Sequence, residues 1–233
     1  MSIADNYSRI MREIAFSAEK TGRKAEDIRM IAVTKFVDEE RIRMGLEAGI
    51  KHVGENRVQE LLKKQELFDK YGVGKNIIGQ LQTNKVKYIV GNVELIQSVD
   101  REALALEINS RAALLGVFQD ILIEVNIGLE PQKGGVFPDR LPELIELITT
   151  LPCIRLKGLM CIPPNAAASD AGDGAIRKHF EKMRLLFESI RSQQSQNVDM
   201  TWLSMGMSGD YKLAIEEGSN MVRIGTALFG ARL

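Results

Sequence analysis

The feature that most constrains this chain is a rhythm. A short aliphatic or β-branched run, a polar or glycine-containing turn and a helical pattern succeed one another from residue 28 almost to the C-terminus. The runs that read as strands are 28–33, 51–53, 75–78, 94–97, 119–126, 154–159, 199–203 and 221–224. Helical spacing falls at 38–48, 55–70, 83–90, 101–115, 138–150, 173–193 and 208–217. The clearest helix is 173–193, where Ile176, Phe180, Met183, Phe187 and Ile190 form one stripe and Asp173 is placed to cap its start. Ahead of the rhythm, Ile3, Tyr7, Ile10 and Ile14 mark an amphipathic helix over 2–20. Eight strands alternating with helices predict an α/β fold, a modified (β/α)8 TIM barrel with an extra N-terminal helix. The competing open, doubly wound sheet expects a G-x-G-x-x-G turn after its first strand, where this chain has Thr34-Lys35-Phe36-Val37. The 233 residues suit one barrel domain over 1–233, and the Ala/Ser/Gly stretch at 165–174 reads as a surface loop within it.

Composition narrows the function classes. Thirty-one basic residues balance thirty-one acidic ones, which argues against nucleic-acid binding by bulk electrostatics. No apolar run approaches the ~18–20 residues of a membrane span, and Asp5, Arg9, Arg12 and Glu13 interrupt any apolar leader. Cys153 and Cys161 make neither a disulfide framework nor a zinc site, so the expected compartment is the reducing cytoplasm.

In such a barrel the chemistry sits where the strands end. The turns after strands seven and eight, Ser204 to Asp210 and Gly225-Thr226, are rich in small and hydroxyl residues. Such turns let backbone N–H groups approach an anion, and barrels commonly bind phosphate there. Lys35 follows the first strand, so its amine is expected at the mouth, where partial burial favours the neutral form that attacks an aldehyde. Turn glycines and strand-end lysines also occur for structural reasons alone, but an amine and a phosphate cup together suggest pyridoxal 5'-phosphate (PLP). Of the other candidates, His52 reads as a packed or edge residue, His179 as solvated and Trp202 as core. Nothing in the spacing unites Glu55 with Glu124, and both read as surface or helix N-terminal residues. No motif for a metal occurs.

With these residues in view the chain resembles the YggS/PROSC family of pyridoxal phosphate homeostasis proteins. The resemblance runs through AVTKFV at 32–37, GENRVQE at 54–60, IGQLQTNK at 78–85, SVD at 98–100, LKGLM at 156–160, LSMGMSGDY at 203–211 and VRIGTALFG at 222–230. It implies a barrel related to the N-terminal domain of alanine racemase, with PLP held as a Schiff base on Lys35. By the same resemblance Ser204, Gly225, Thr226 and, more weakly, Ser208 surround the phosphate. Arg223 matches the arginine that faces the pyridine nitrogen, and Asn56 lines the ring. Gln80 departs from the family pattern and takes no role. The turn at 130–135 is a variant of the usual S-K-x-G, with Lys133 retained. Racemases of this kind take one base from a second domain, for which 233 residues leave no room. The resemblance therefore implies a cytoplasmic, monomeric PLP carrier or buffer that has no catalytic residues and influences amino-acid balance. Apo-PLP enzymes are its expected recipients, without nucleic acid or membrane, and a weak PLP-dependent racemase or lyase is the alternative.

Overall fold

The computed structural model describes residues 2–164, 172–192 and 196–230. Eight parallel strands form the wall: β1 (Arg29–Val33), β2 (His52–Glu55), β3 (Gly74–Ile77), β4 (Leu95–Val99), β5 (Gln119–Glu124), β6 (Ile154–Met160), β7 (Val198–Met207) and β8 (Met221–Ile224). Each pairs with the next, and β8 closes on β1 from Arg29 opposite Met221 to Ala32 opposite Ile224. The barrel expected from the rhythm is the barrel observed.

Period-two alternation sorts the strand residues. Ile31, Leu95, Leu122, Met160 and Met221 point inward and plug the lumen. Ala32, Val53 and Val222, and on the far side Ile96, Ile121 and Leu203, face outward under the helices. Those helices are α2 (Glu39–Glu47), α3 (Val58–Lys63), α4 (Gln65–Tyr71), α5 (Glu102–Leu115), α6 (Leu141–Thr149), α7 (Gly172–Arg191), α8 (Tyr211–Glu216) and α9 (Thr226–Phe229). The extra helix α1 (Ile3–Glu19) begins at a capping box in which Ser2 and Asp5 bond each other's N–H, and it buries Ile10, Ile14 and Ala18 against α2, α8 and α9. No helix among the described residues is long and apolar enough to cross a membrane.

The N-terminal end of the lumen is closed by charge and stacking. Arg29 lies 4.1 Å over the Trp202 ring, and Glu94 holds both Arg29 (2.6 Å) and His52 (3.0 Å). A cleft of about 950 Å³ opens at this same end, among Arg23, Arg184, Asp199 and Glu217. In barrels this face serves stability.

Several expectations change. The helix expected over 55–70 breaks at Lys64, whose ammonium donates to the Thr34 carbonyl and to Glu55 Oε1, both at 2.7 Å. The segment at 83–90 is a 3-10 helix, Thr83–Tyr88. Glu55 and Glu124 are not surface residues: they end β2 and β5 and are 0% and 7% exposed. His179 is half-buried near the Ile127 backbone instead of facing solvent; burial and Lys182 lower its pKa. Helix α7 starts at Gly172, so Asp173 lies inside its first turn. The Asp173 side chain and residues 165–171, most of the expected surface loop, lie outside the described residues.

Candidate cofactor-binding site

At the C-terminal end of β1 the chain is held tightly before it reaches Lys35. Thr34 turns outward and donates its hydroxyl to Glu55 Oε1 (2.7 Å), which also takes the Lys64 ammonium. Burial of Glu55 still pushes its carboxyl above the usual carboxylate range despite these two partners. Beyond Lys35, Phe36 adopts a left-handed backbone (φ +59°), a conformation that costs a non-glycine residue roughly 1–2 kcal/mol. The Phe36 N–H is tied to Glu60 at 3.3 Å. Lys35, half-buried, therefore stands on a rigid corner.

Lys35 shares a small cavity of about 50 Å³ with Arg41, Gly225, Thr226 and Phe229. Gly225 and Thr226 form the start of α9, where first-turn N–H groups have no helical acceptor. Ser208 Oγ takes two of them, from Gly225 and Ala227, each at 3.2 Å. The exposed Thr226 keeps its N–H and hydroxyl without a hydrogen bond among the described residues. An amine and a cluster of anion donors thus face one cavity, a donor set that fits an aldehyde and a phosphate on one molecule.

Ser204 is elsewhere. Because β7 continues to Met207, Ser204 lies within the strand and not in the turn after it, and its hydroxyl is fully buried in the lumen. There Ser204 Oγ donates to Gln97 Oε1 (2.7 Å) and accepts from Arg223 Nη1 (2.7 Å). Gln97 Nε2 donates on to Asn76 Oδ1 (3.0 Å), and Arg223 Nη2 donates to the Cys161 carbonyl (2.8 Å). This relay joins β3, β4, β7 and β8 just above the apolar plug, and it fixes the plane of Arg223 without a carboxylate ion pair among the described residues. The structure thus separates the expected phosphate residues: Gly225, Thr226 and Ser208 sit together, while Ser204 supports Arg223. Gln97 and Asn76 escaped the sequence reading. Their only signal is a polar residue at an inward register position of a strand.

Asn56, directly after β2, is half-buried and its side chain makes no hydrogen bond among the described residues. It is wedged against Gly79, where a Cβ would lie 2.6 Å from the Asn56 carbonyl oxygen and 2.8 Å from its Cα. Asn56 does not line the Lys35 cavity. Gln80, in the turn after β3, packs against Gly134 of the loop after β5, and in that loop Lys133 pairs with Glu130 at 2.5 Å. Across the mouth, Glu124 is raised to about 7, chiefly by burial and then by nearby Asp100, with Arg223 opposing. Cys161 is fully buried and its thiol is pushed up to about 12, which leaves it inert.

The closed barrel and its mouth define a class, the alanine racemase N-terminal domain, whose family model matches residues 11–233. Alanine racemase of Corynebacterium glutamicum shares the fold at a TM-score of 0.66 and 16% identity, over 97% of this chain and 59% of that one. Nearer relatives are more specific. A pyridoxal phosphate homeostasis protein of Aquifex aeolicus is 44% identical over 100% of this chain and 99% of its own. PipY of Synechococcus elongatus, solved with PLP bound, superposes at a TM-score of 0.82 with 30% identity, over 98% of this chain and 100% of that one. This chain belongs to the family of pyridoxal phosphate homeostasis proteins.

Proposed function

We propose that this chain binds PLP and serves as a carrier or buffer of the cofactor, with the aldehyde held as a Schiff base on Lys35. The observation that carries the reading is the cavity shared by Lys35, Gly225 and Thr226. Relatives named for PLP homeostasis and a neighbour solved with PLP bound support it. Bound PLP offers an aldehyde that amines capture reversibly and a ring that accepts electrons best when its nitrogen is protonated. Thr226 and the N–H groups of Gly225 and Ala227 hold the phosphate, with Ser208 giving up its bonds to them or sharing them. Arg223 faces the ring nitrogen, and its permanent charge disfavours a second positive charge beside it. Ser204, Gln97 and the Cys161 carbonyl keep that guanidinium in place.

The four tyrosines favour a carrier over a racemase. Tyr7, Tyr71 and Tyr211 donate to the Gly49 carbonyl, Glu47 and Glu13 on the outer layer, and Tyr88 is exposed beside Lys85 and Lys87. None offers a second base at the mouth. The test mixes PLP-loaded protein with an apo-PLP enzyme and follows recovery of that enzyme's activity. Recovery without conversion of amino acids by the chain itself is expected. Substrate-dependent racemisation or elimination at ordinary rates near ~10 s⁻¹ defeats the carrier reading in favour of an enzyme.

A further inference from the structure

The mouth of the barrel holds a buried carboxyl that the site described above does not use. Glu124 ends β5 on the same inward face as Leu122 and is 7% exposed. Its backbone carbonyl accepts the Val136 N–H at 2.8 Å, which anchors the strand end. Its carboxyl makes no hydrogen bond among the described residues, and the little exposure it keeps is at the mouth, so it is largely desolvated without a protein partner. The charged groups that face it are Asp100, just past β4, and Arg223 on β8. Arg223 also faces Asp210, ahead of α8, and the Cys161 thiol past β6.

We infer that Glu124 belongs to the cofactor site and sets its charge, taking up a proton when an anionic pyridoxal-type phosphate occupies the mouth. The inference rests on the cofactor reading above. Burial and Asp100 place the ionisation of Glu124 at about 7. Below that pH the carboxyl is neutral and the Arg223 charge acts on the ligand unopposed. Above it the carboxylate offsets Arg223 and repels phosphate. Proton and anion therefore favour each other's binding, and by reciprocity affinity falls as pH rises through neutrality. Coupling to a unit charge at an effective dielectric of about 20 changes affinity roughly tenfold.

The probe is 4-deoxypyridoxine 5'-phosphate, which lacks the aldehyde and so removes Lys35 chemistry from the measurement. Its affinity is measured by calorimetry near pH 6 and pH 8.5 for the unaltered protein and Glu124→Gln. Titration of the phosphate itself, with a second pKa near ~6, is common to both proteins and cancels in their ratio. The ratio is expected near one at the lower pH, with the glutamine variant about tenfold tighter at the higher. A ratio that does not move with pH, or a variant weaker at both values, overturns the inference. Asp100→Asn keeps Glu124 and removes the charge that repels it, so the midpoint of the pH dependence moves down. An unmoved midpoint overturns the inference even where Glu124→Gln fails to fold. PLP binding by the unaltered protein, read from visible absorption, separates the two readings. No PLP bound at either pH defeats the cofactor site itself, whereas PLP bound with a pH-independent ratio defeats only the role of Glu124.

Discussion

Thr226 and Ser204 were equivalent hydroxyls in the sequence, and the structure gives them opposite surroundings. Thr226 is exposed at the start of α9, and its hydroxyl makes no hydrogen bond among the described residues, whereas Ser204 is fully buried between Gln97 and Arg223. Thr226→Val removes one oxygen at nearly constant volume. A hydrogen bond to a charged group contributes ~1.5–3 kcal/mol, so PLP affinity falls roughly ten- to a hundredfold. Because the residue is exposed, the urea midpoint stays where it was. Unchanged affinity in an equilibrium titration removes Thr226 from the site. The difference between the two hydroxyls was not legible beforehand, because it depends on where β7 ends. That end is set by pairing with β6 and β8, among them Met160 with Ser204 and Met207 with Arg223, and not by local propensity.

The end of β7 also shows how an element positions the site. Gly206 has φ +96°, and a Cβ there would lie 2.6 Å from the Ala214 Cβ and 3.0 Å from the Tyr211 Cα. Only glycine lets α8 pack this closely while the chain turns back toward Ser208. Gly206→Ala is expected to lower stability by at least ~2 kcal/mol, from left-handed strain plus overlap. Gly22→Ala is the control: its φ is +71° with nothing within 4 Å, so only the strain, ~1 kcal/mol, is expected. Equal urea midpoints for the two variants would show that the α8 contact is not tight. The elements themselves were largely readable, because eight apolar runs separated by helical spacing leave few other folds. What failed locally had tertiary causes. Lys64 breaks the helix expected over 55–70 as its amine reaches buried Glu55, a partner nine residues back.

At the scale of the whole molecule the barrel divides its polar groups by height. The Arg29, Glu94, His52 and Trp202 cluster closes the N-terminal end, an apolar plug fills the middle, and the relay from Asn76 to Arg223 floors the mouth. The sequence motifs pointed to Lys35, Gly225, Thr226 and Arg223 at that mouth. They were silent on Gln97 and Asn76, and Glu124 read as a surface or helix N-terminal residue, since a buried polar residue on a strand looks like any solvated one until the opposite wall is known. The account as a whole depends on Lys35 being the amine that holds PLP. The most direct measurement is reduction of the PLP-loaded protein with borohydride, followed by digestion and mass spectrometry of the modified peptide. A single pyridoxyl-phosphate adduct on Lys35, absent in Lys35→Ala while far-UV circular dichroism is unchanged, is the predicted result. An adduct on Lys85 or Lys133 in the unaltered protein, or none at all, would contradict it.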